Sequence, residues 1–304
     1  MAFDAFALIL TMLAVGKLFA RLRVLPPNTT DVLNAVVLYL CLPASVLMYV
    51  PRLQLDRNLL GLVLTPWLFT AATVLAVLAL RAPLRLRREQ QAVLLLCVAL
   101  GNTSFIGYPM VHALLGEAAL PYAVVYDQFG TFVLLSSFGL YVLARYSGQT
   151  PPSPKQTLLR MARFPPLWAL AFALTLMPVR PPAWIASALQ HLTDAMLPLV
   201  MLAVGFSIQL RLPRDELVPL VAGLALKLLL LPALVWLLSW ALGLRGQMLQ
   251  ANVLESAMPT MITAALLAIS HRLAPRLAAA LVGYGILLSL LTLPAWLWVL
   301  GAQG

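Results

Sequence analysis

From residue 3 to residue 300 the chain is a succession of apolar runs, each close to the roughly 20 residues that a helix needs to cross a bilayer. They fall near 3–20, 31–50, 59–80, 90–111, 119–144, 159–178, 183–207, 216–242, 247–269 and 277–300, and charges, Pro or Gly separate them. Lipid offers the backbone no hydrogen-bond partners, so runs of this length fold as helices, and the expected fold class is an all-α polytopic membrane protein of ten transmembrane helices. Only 10% of the 304 residues are charged against 62% hydrophobic, where a soluble domain carries roughly 25% charged residues. Ten spans and their connections use the whole length and leave no room for a soluble domain. The start of the chain has no basic region before its first apolar run, so that run is expected to stay in the mature protein rather than be removed as a signal peptide.

The net charge of +10 is scattered over many short loops rather than gathered on one patch, which argues against a nucleic-acid partner and for the lipid bilayer. The distribution carries the information. Odd-numbered connections hold Lys17, Arg21 and Arg23, then Arg81, Arg85, Arg87 and Arg88, then Arg145, Lys155, Arg160 and Arg163, then Arg211 and Arg214, and finally Arg272 and Arg276. Even-numbered connections hold Arg52, Arg57, Arg180 and Arg245 alone. By the positive-inside rule the odd loops face the cytoplasm and both termini face outward, as expected of a multi-pass protein of a bacterial inner membrane.

The longest connection contains Ser-Gly-Gln-Thr-Pro-Pro-Ser-Pro, which cannot stay helical, and it divides the chain into residues 1–144, a cytoplasmic Pro-rich linker at 145–158, and residues 159–304. Five helices per half is an odd number of crossings, so a second copy of the first half enters from the opposite side as an inverted repeat. The fourth run holds Asn102 and, seven residues on, Pro109; the ninth holds Asn252 and, seven residues on, Pro259, at an offset of 150. Leu42-Pro43 and Leu197-Pro198 repeat at an offset of 155.

Mid-span in the fourth run stands Gly101-Asn102-Thr103-Ser104-Phe105-Ile106-Gly107-Tyr108-Pro109. Two glycines, three small polar side chains and a proline interrupt the helix here, and interrupted backbone at membrane depth survives only where protein or a water-filled cavity satisfies it. Two such helices meeting near the midplane present amino-terminal N–H groups and Asn side chains, a donor set suited to a carboxylate. The expected binding residues are Asn102, Thr103, Ser104, Pro109, Asn252, Glu255 and Pro259. The plainer alternative is that Pro109 and Pro259 only kink helices whose hydroxyls bond back to the backbone.

Four ionisable residues lie within the spans: Asp127, Asp194, Lys227 and Glu255. Each costs roughly 2.5 kcal/mol or more if it faces lipid ionised, so each is expected to face a cavity or a partner. Glu255, three residues after Asn252, is a candidate for binding a proton or the substrate, or else a structurally held carboxyl. Lys227 is a candidate counter-charge for an anion, or half of an internal pair with Asp194 or Glu255. Asp127, beside Gln128, is a candidate relay, and Asp194 a residue reaching the interface. Cys41 and Cys97 read as small buried side chains. The histidines lack ligand spacing, and no metal site, cofactor or nucleotide-binding loop is expected.

On the stretches 34–43, 101–109, 197–205 and 255–259, together with the mid-chain linker and Lys227 with Pro232, the chain resembles the auxin efflux carrier family of bacterial permeases, relatives of the plant auxin transporters. The resemblance runs through nearly the full length. It implies a scaffold of helices 1, 2, 6 and 7, a mobile transport domain of helices 3–5 and 8–10, and a crossing of helices 4 and 9 at Pro109 and Pro259. It also implies substrate contact at Asn102 and Asn252, a small organic anion as substrate, and a homodimer through the scaffold. Together these lead to an expected secondary carrier for mono- or dicarboxylates with elevator-like alternating access. The alternatives are a sodium-coupled symporter of the bile-acid type, with Asn102, Thr103, Glu255 and Thr260 as oxygen ligands, and a ligand-binding membrane sensor. A membrane enzyme is disfavoured, because no nucleophile–base pair, His–Glu metal motif or paired acids occur at useful spacing.

Overall fold

The structure is a computed structural model that describes residues 2–52, 59–148, 165–207 and 214–301, with single positions at 153, 155–156, 159 and 162. Half of the Pro-rich linker, together with Arg57, Arg160, Arg163 and Arg211, lies outside the described residues. Helices α1 (Ala2–Leu22), α2 (Thr29–Arg52), α3 (Leu59–Arg81) and α4 (Arg88–Ala99) are followed by α5 (103–115) and α6 (Glu117–Ser147). Then come α7 (Pro165–Thr175), α8 (Ala183–Ser207), α9 (Leu217–Ala241), α10 (Gly246–Ser256), α11 (Ile262–Ser270) and α12 (Pro275–Gly301).

The described residues are helical, with one isolated two-residue bridge between extended segments. Six helices, α2, α3, α6, α8, α9 and α12, are long and apolar enough to cross a membrane. The fourth and ninth apolar runs are not among them for a physical reason: each is divided by a break into two short helices, α4 with α5 and α10 with α11. Of the sixth run, helix is described over Pro165–Thr175.

Three of the helix prolines share one local geometry. A five-residue π turn at Val37–Cys41 precedes Pro43, another at Thr103–Gly107 precedes Pro109, and a third at Leu226–Leu230 precedes Pro232. Proline lacks an N–H and clashes with the carbonyl four residues back. Widening the preceding turn relieves both problems without ending the helix.

The chain divides into two compact units. The first comprises Met1–Leu55, Ser104–Val124 and Ala162–Ile208. In it α1 packs closely on α8 through two glycines: a Cβ on Gly16 would lie 2.3 Å from the carbonyl oxygen of Leu202, and one on Gly205 would lie 2.3 Å from that of Leu13. Small residues that let helix backbones touch are the usual adhesive where lipid supplies no hydrophobic drive. Polar bonds join α2 to α8 in this unit: Ser45 Oγ donates to Thr193 Oγ1 at 3.3 Å and Tyr49 Oη to Gln190 Oε1 at 3.2 Å. Asp194 is exposed and accepts from Gln190 Nε2 at 2.8 Å, one turn back along α8.

The second unit comprises Asp56–Thr103, Val125–Met161 and Gln209–Gly304. Its centre is α4, buried from Gln90 through Ala99 among α3, α9, α11, α12 and the end of α6. A helix apolar on all sides belongs in an interior. Charges gather at one end of this unit. Arg87 Nη2 donates to the buried Glu216 Oε1 at 2.7 Å, and Arg276 Nη2 to Asp215 Oδ2 at 2.8 Å. Both acids directly precede α9, where its dipole favours them.

Gly205→Leu is expected to force α1 and α8 apart and to destabilise the protein by about 1–3 kcal/mol, the usual cost of overpacking. Thermal unfolding of the detergent-solubilised protein measures this, and an unchanged midpoint would show that the glycine contact does not hold the pair.

Candidate functional site

The candidate site is built on the two helix breaks of the second unit. Helix α4 stops at Ala99 and α10 at Ser256, and the segments that follow, 100–102 and 257–261, run antiparallel to each other. The Asn102 N–H donates to the Pro259 carbonyl at 2.8 Å, and the Met261 N–H to the Leu100 carbonyl at 2.9 Å. These two bonds flank the bridged pair Gly101 and Thr260. Thr260 Oγ1 adds a third tie, donating to the Cys97 carbonyl at 2.8 Å. Each break thus satisfies the backbone groups that the other exposes, which is what backbone at membrane depth requires.

This geometry corrects the expected crossing. Pro259 does lie in the second break, but the first break falls at 100–102, and Pro109 is the second residue of the α-helical stretch Tyr108–Leu115, buried in the first unit. The π turn at Thr103–Gly107 accommodates the proline, whereas Gly101 stands at the interruption. The bridged residues are 159 apart in sequence.

Around the breaks the second unit collects polar side chains. Asn102 is 2% exposed, and its Nδ2 has no partner among the described residues. Thr103 Oγ1 donates to Asp127 Oδ1 at 2.5 Å, and Gln128 Nε2 donates to Asp127 Oδ2 at 2.9 Å. Lys227 is buried, with Nζ donating to the Ser256 carbonyl at 3.4 Å and lying 4.4 Å from the centre of the Phe69 ring. An ammonium beside the last carbonyls of α10 is favourably placed in the helix field. Gly101 makes room for it, since a Cβ there would come within 3.0 Å of Lys227 Nζ. Glu255 is fully buried, and neither of its carboxyl oxygens has a hydrogen-bond partner among the described residues. Asp127 and Lys227 are the charged groups that act on it most strongly.

The structure therefore gathers Asn102, Thr103, Glu255 and Pro259 about the breaks, with Asp127 and Lys227 beside them. Asn252 is buried one turn before the end of α10. Its Nδ2 donates to Thr65 Oγ1 on α3 at 3.1 Å and to Ser239 Oγ on α9 at 2.9 Å, while its Oδ1 is unpartnered among the described residues. Ser104, Pro109 and Asp194 belong to the first unit. Thr65, Ser239 and the space at Gly101 escaped the sequence reading. Hydroxyls facing inward from apolar spans were the available signal for the first two; nothing in the sequence announces which side chain a glycine makes way for.

Asn252→Ala removes two buried hydrogen bonds, each worth about 0.6 kcal/mol in a membrane setting. A loss of roughly 1 kcal/mol is expected, with non-additivity against Ser239→Ala in a double-mutant cycle of thermal unfolding; strict additivity would mean that the pair does not interact.

Comparison with known proteins accords with a transport role. Two relatives align over nearly their whole length. An uncharacterized transporter of Methanothermobacter thermautotrophicus is 29% identical over 298 residues, covering 96% of both chains. An uncharacterized transporter of Methanocaldococcus jannaschii is 26% identical over 308 residues, covering 98% of both. The model of the membrane transport protein family matches residues 1–297. The chain with these paired helix breaks belongs to that family, the auxin efflux carriers, and is a multi-pass membrane transporter.

Proposed function

We propose that the protein is a secondary carrier for small organic anions, mono- or dicarboxylates, with its binding site at the paired breaks of the second unit. The observation that carries this reading is the buried, unpartnered amide of Asn102 on a break that also adjoins the Lys227 ammonium. A buried donor without a partner costs about 1–3 kcal/mol. A carboxylate accepting from Asn102 Nδ2 would recover that cost and would meet a compensating cation. Thr103 and Pro259 frame the same place, and the amino-terminal turn of α11 adds backbone donors.

In this reading Asn252 contributes by holding α3, α9 and α10 together beside the site. Ser104 and Pro109 continue the chain out of it. Alternating access would come from an elevator-like movement of spans 3–5 and 8–10 as transport domain against spans 1, 2, 6 and 7 as scaffold. The protein would sit in the inner membrane with both termini outside, by its loop charges, as a homodimer through the scaffold. Sodium symport finds less support. The Lys227 ammonium stands beside the breaks, where a metal cation would be repelled.

Thermal unfolding against a panel of mono- and dicarboxylates, with and without sodium, tests the proposal. A carboxylate at about 100 times its Kd should stabilise the wild type by roughly 2.7 kcal/mol, independently of sodium. Asn102→Ala and Lys227→Met should each abolish that shift. Persistence of the shift in both variants would remove the site from the breaks, and stabilisation by sodium alone would favour the symporter.

A further inference from the structure

Four ionisable side chains lie within the expected spans, and the structure treats them unequally. Asp194 is exposed and held by Gln190. Asp127 is buried but accepts hydrogen bonds on both oxygens, from Thr103 and Gln128. Lys227 is buried against the Ser256 carbonyl and the Phe69 ring. Glu255 is different: it is 0% exposed, and both Oε1 and Oε2 lack a hydrogen-bond partner among the described residues.

The charges facing Glu255 decide what its carboxyl is. Those that act on it electrostatically are Asp127 and the phenol of Tyr126 on α6 and Lys227 on α9. The Asp127 carboxylate and the Lys227 ammonium offset each other. An ionised Glu255 would be a third, uncompensated charge with no hydrogen-bond donor among the described residues, whereas a neutral carboxylic acid needs far less solvation. A metal cation is a poor substitute for the proton here. The ammonium of Lys227 would repel it.

We propose that Glu255 is an exchangeable proton-binding site: it holds a proton in the arrangement described here and releases it when water reaches the breaks. In the release step the carboxyl O–H bond breaks, the proton passes to water, and the carboxylate left behind is solvated by the water that has entered the breaks. One consequence rests on the anion reading above. A carboxylate bound at Asn102 would oppose ionisation of Glu255, so anion and proton would reinforce each other's binding, and each would do so by the same factor. That coupling is the thermodynamic basis of proton symport.

Infrared difference spectroscopy of the purified protein without added anion tests the site directly. At neutral pH the wild type should show a protonated-carboxyl C=O band that Glu255→Gln removes, that Asp127→Asn leaves in place, and that Glu255→Asp retains at a shifted frequency. Transfer to D2O should shift the band, because the proton exchanges with solvent. A wild-type spectrum that loses no protonated-carboxyl intensity in Glu255→Gln would overturn the proposal, as would a band that stays unexchanged in D2O. No transported compound enters this measurement, so a failed anion panel leaves its result standing, and a failed band leaves the anion reading intact.

Discussion

Two backbone hydrogen bonds, Asn102 N–H to Pro259 O and Met261 N–H to Leu100 O, are the constraint on which the second unit depends. Without them, two helices would end inside an apolar core with unsatisfied carbonyls and amides, each costing several kcal/mol where no water can reach. With them, two interruptions become one structure, and neither is stable without the other. The rest of the site follows from this pairing. Lys227 sits against the carbonyl end of α10, Thr260 reaches the Cys97 carbonyl at the end of α4, and Asn102 is carried into the interior with its amide unpartnered.

Polar groups elsewhere in the molecule are placed by the same economy. Intrahelical back-bonding disposes of hydroxyls such as Thr65 onto the Gly61 carbonyl and Ser239 onto Val235, and both oxygens remain able to accept from Asn252. Pro43, Pro109 and Pro232 each follow a π turn rather than a break, so those spans stay helical around them. Full interruption is confined to 100–102 and 257–261 within the second unit. Because other polar groups are largely satisfied locally, the unpartnered atoms of Asn102, Asn252 and Glu255 stand out as places where a ligand, a proton or a rearrangement is energetically invited.

Much of this was legible beforehand. The lengths of the apolar runs led to a polytopic helical protein, and the stretches 101–109 and 255–259 led to the right pair of interrupted helices and to the family. Asn102, Thr103, Glu255 and Pro259 were singled out from residue type alone and do lie about the breaks. The register was not legible. Pro109 looked like the interruption because proline is the stronger helix breaker in a list of propensities, yet Gly101 is the residue at the bridge.

By itself the sequence determined the solvent, the helical class, the polar content of the spans and which two spans are interrupted, because these follow from local hydropathy and backbone chemistry. Only the tertiary structure decided which backbone groups close each break. It also gave the Asn252 amide its partners in Thr65 and Ser239, set Gly101 aside for Lys227, and left Glu255 buried without a donor. Those outcomes depend on residues from different helices meeting in space, and no local pattern records which of several available hydroxyls, carbonyls or charges will be the one in reach.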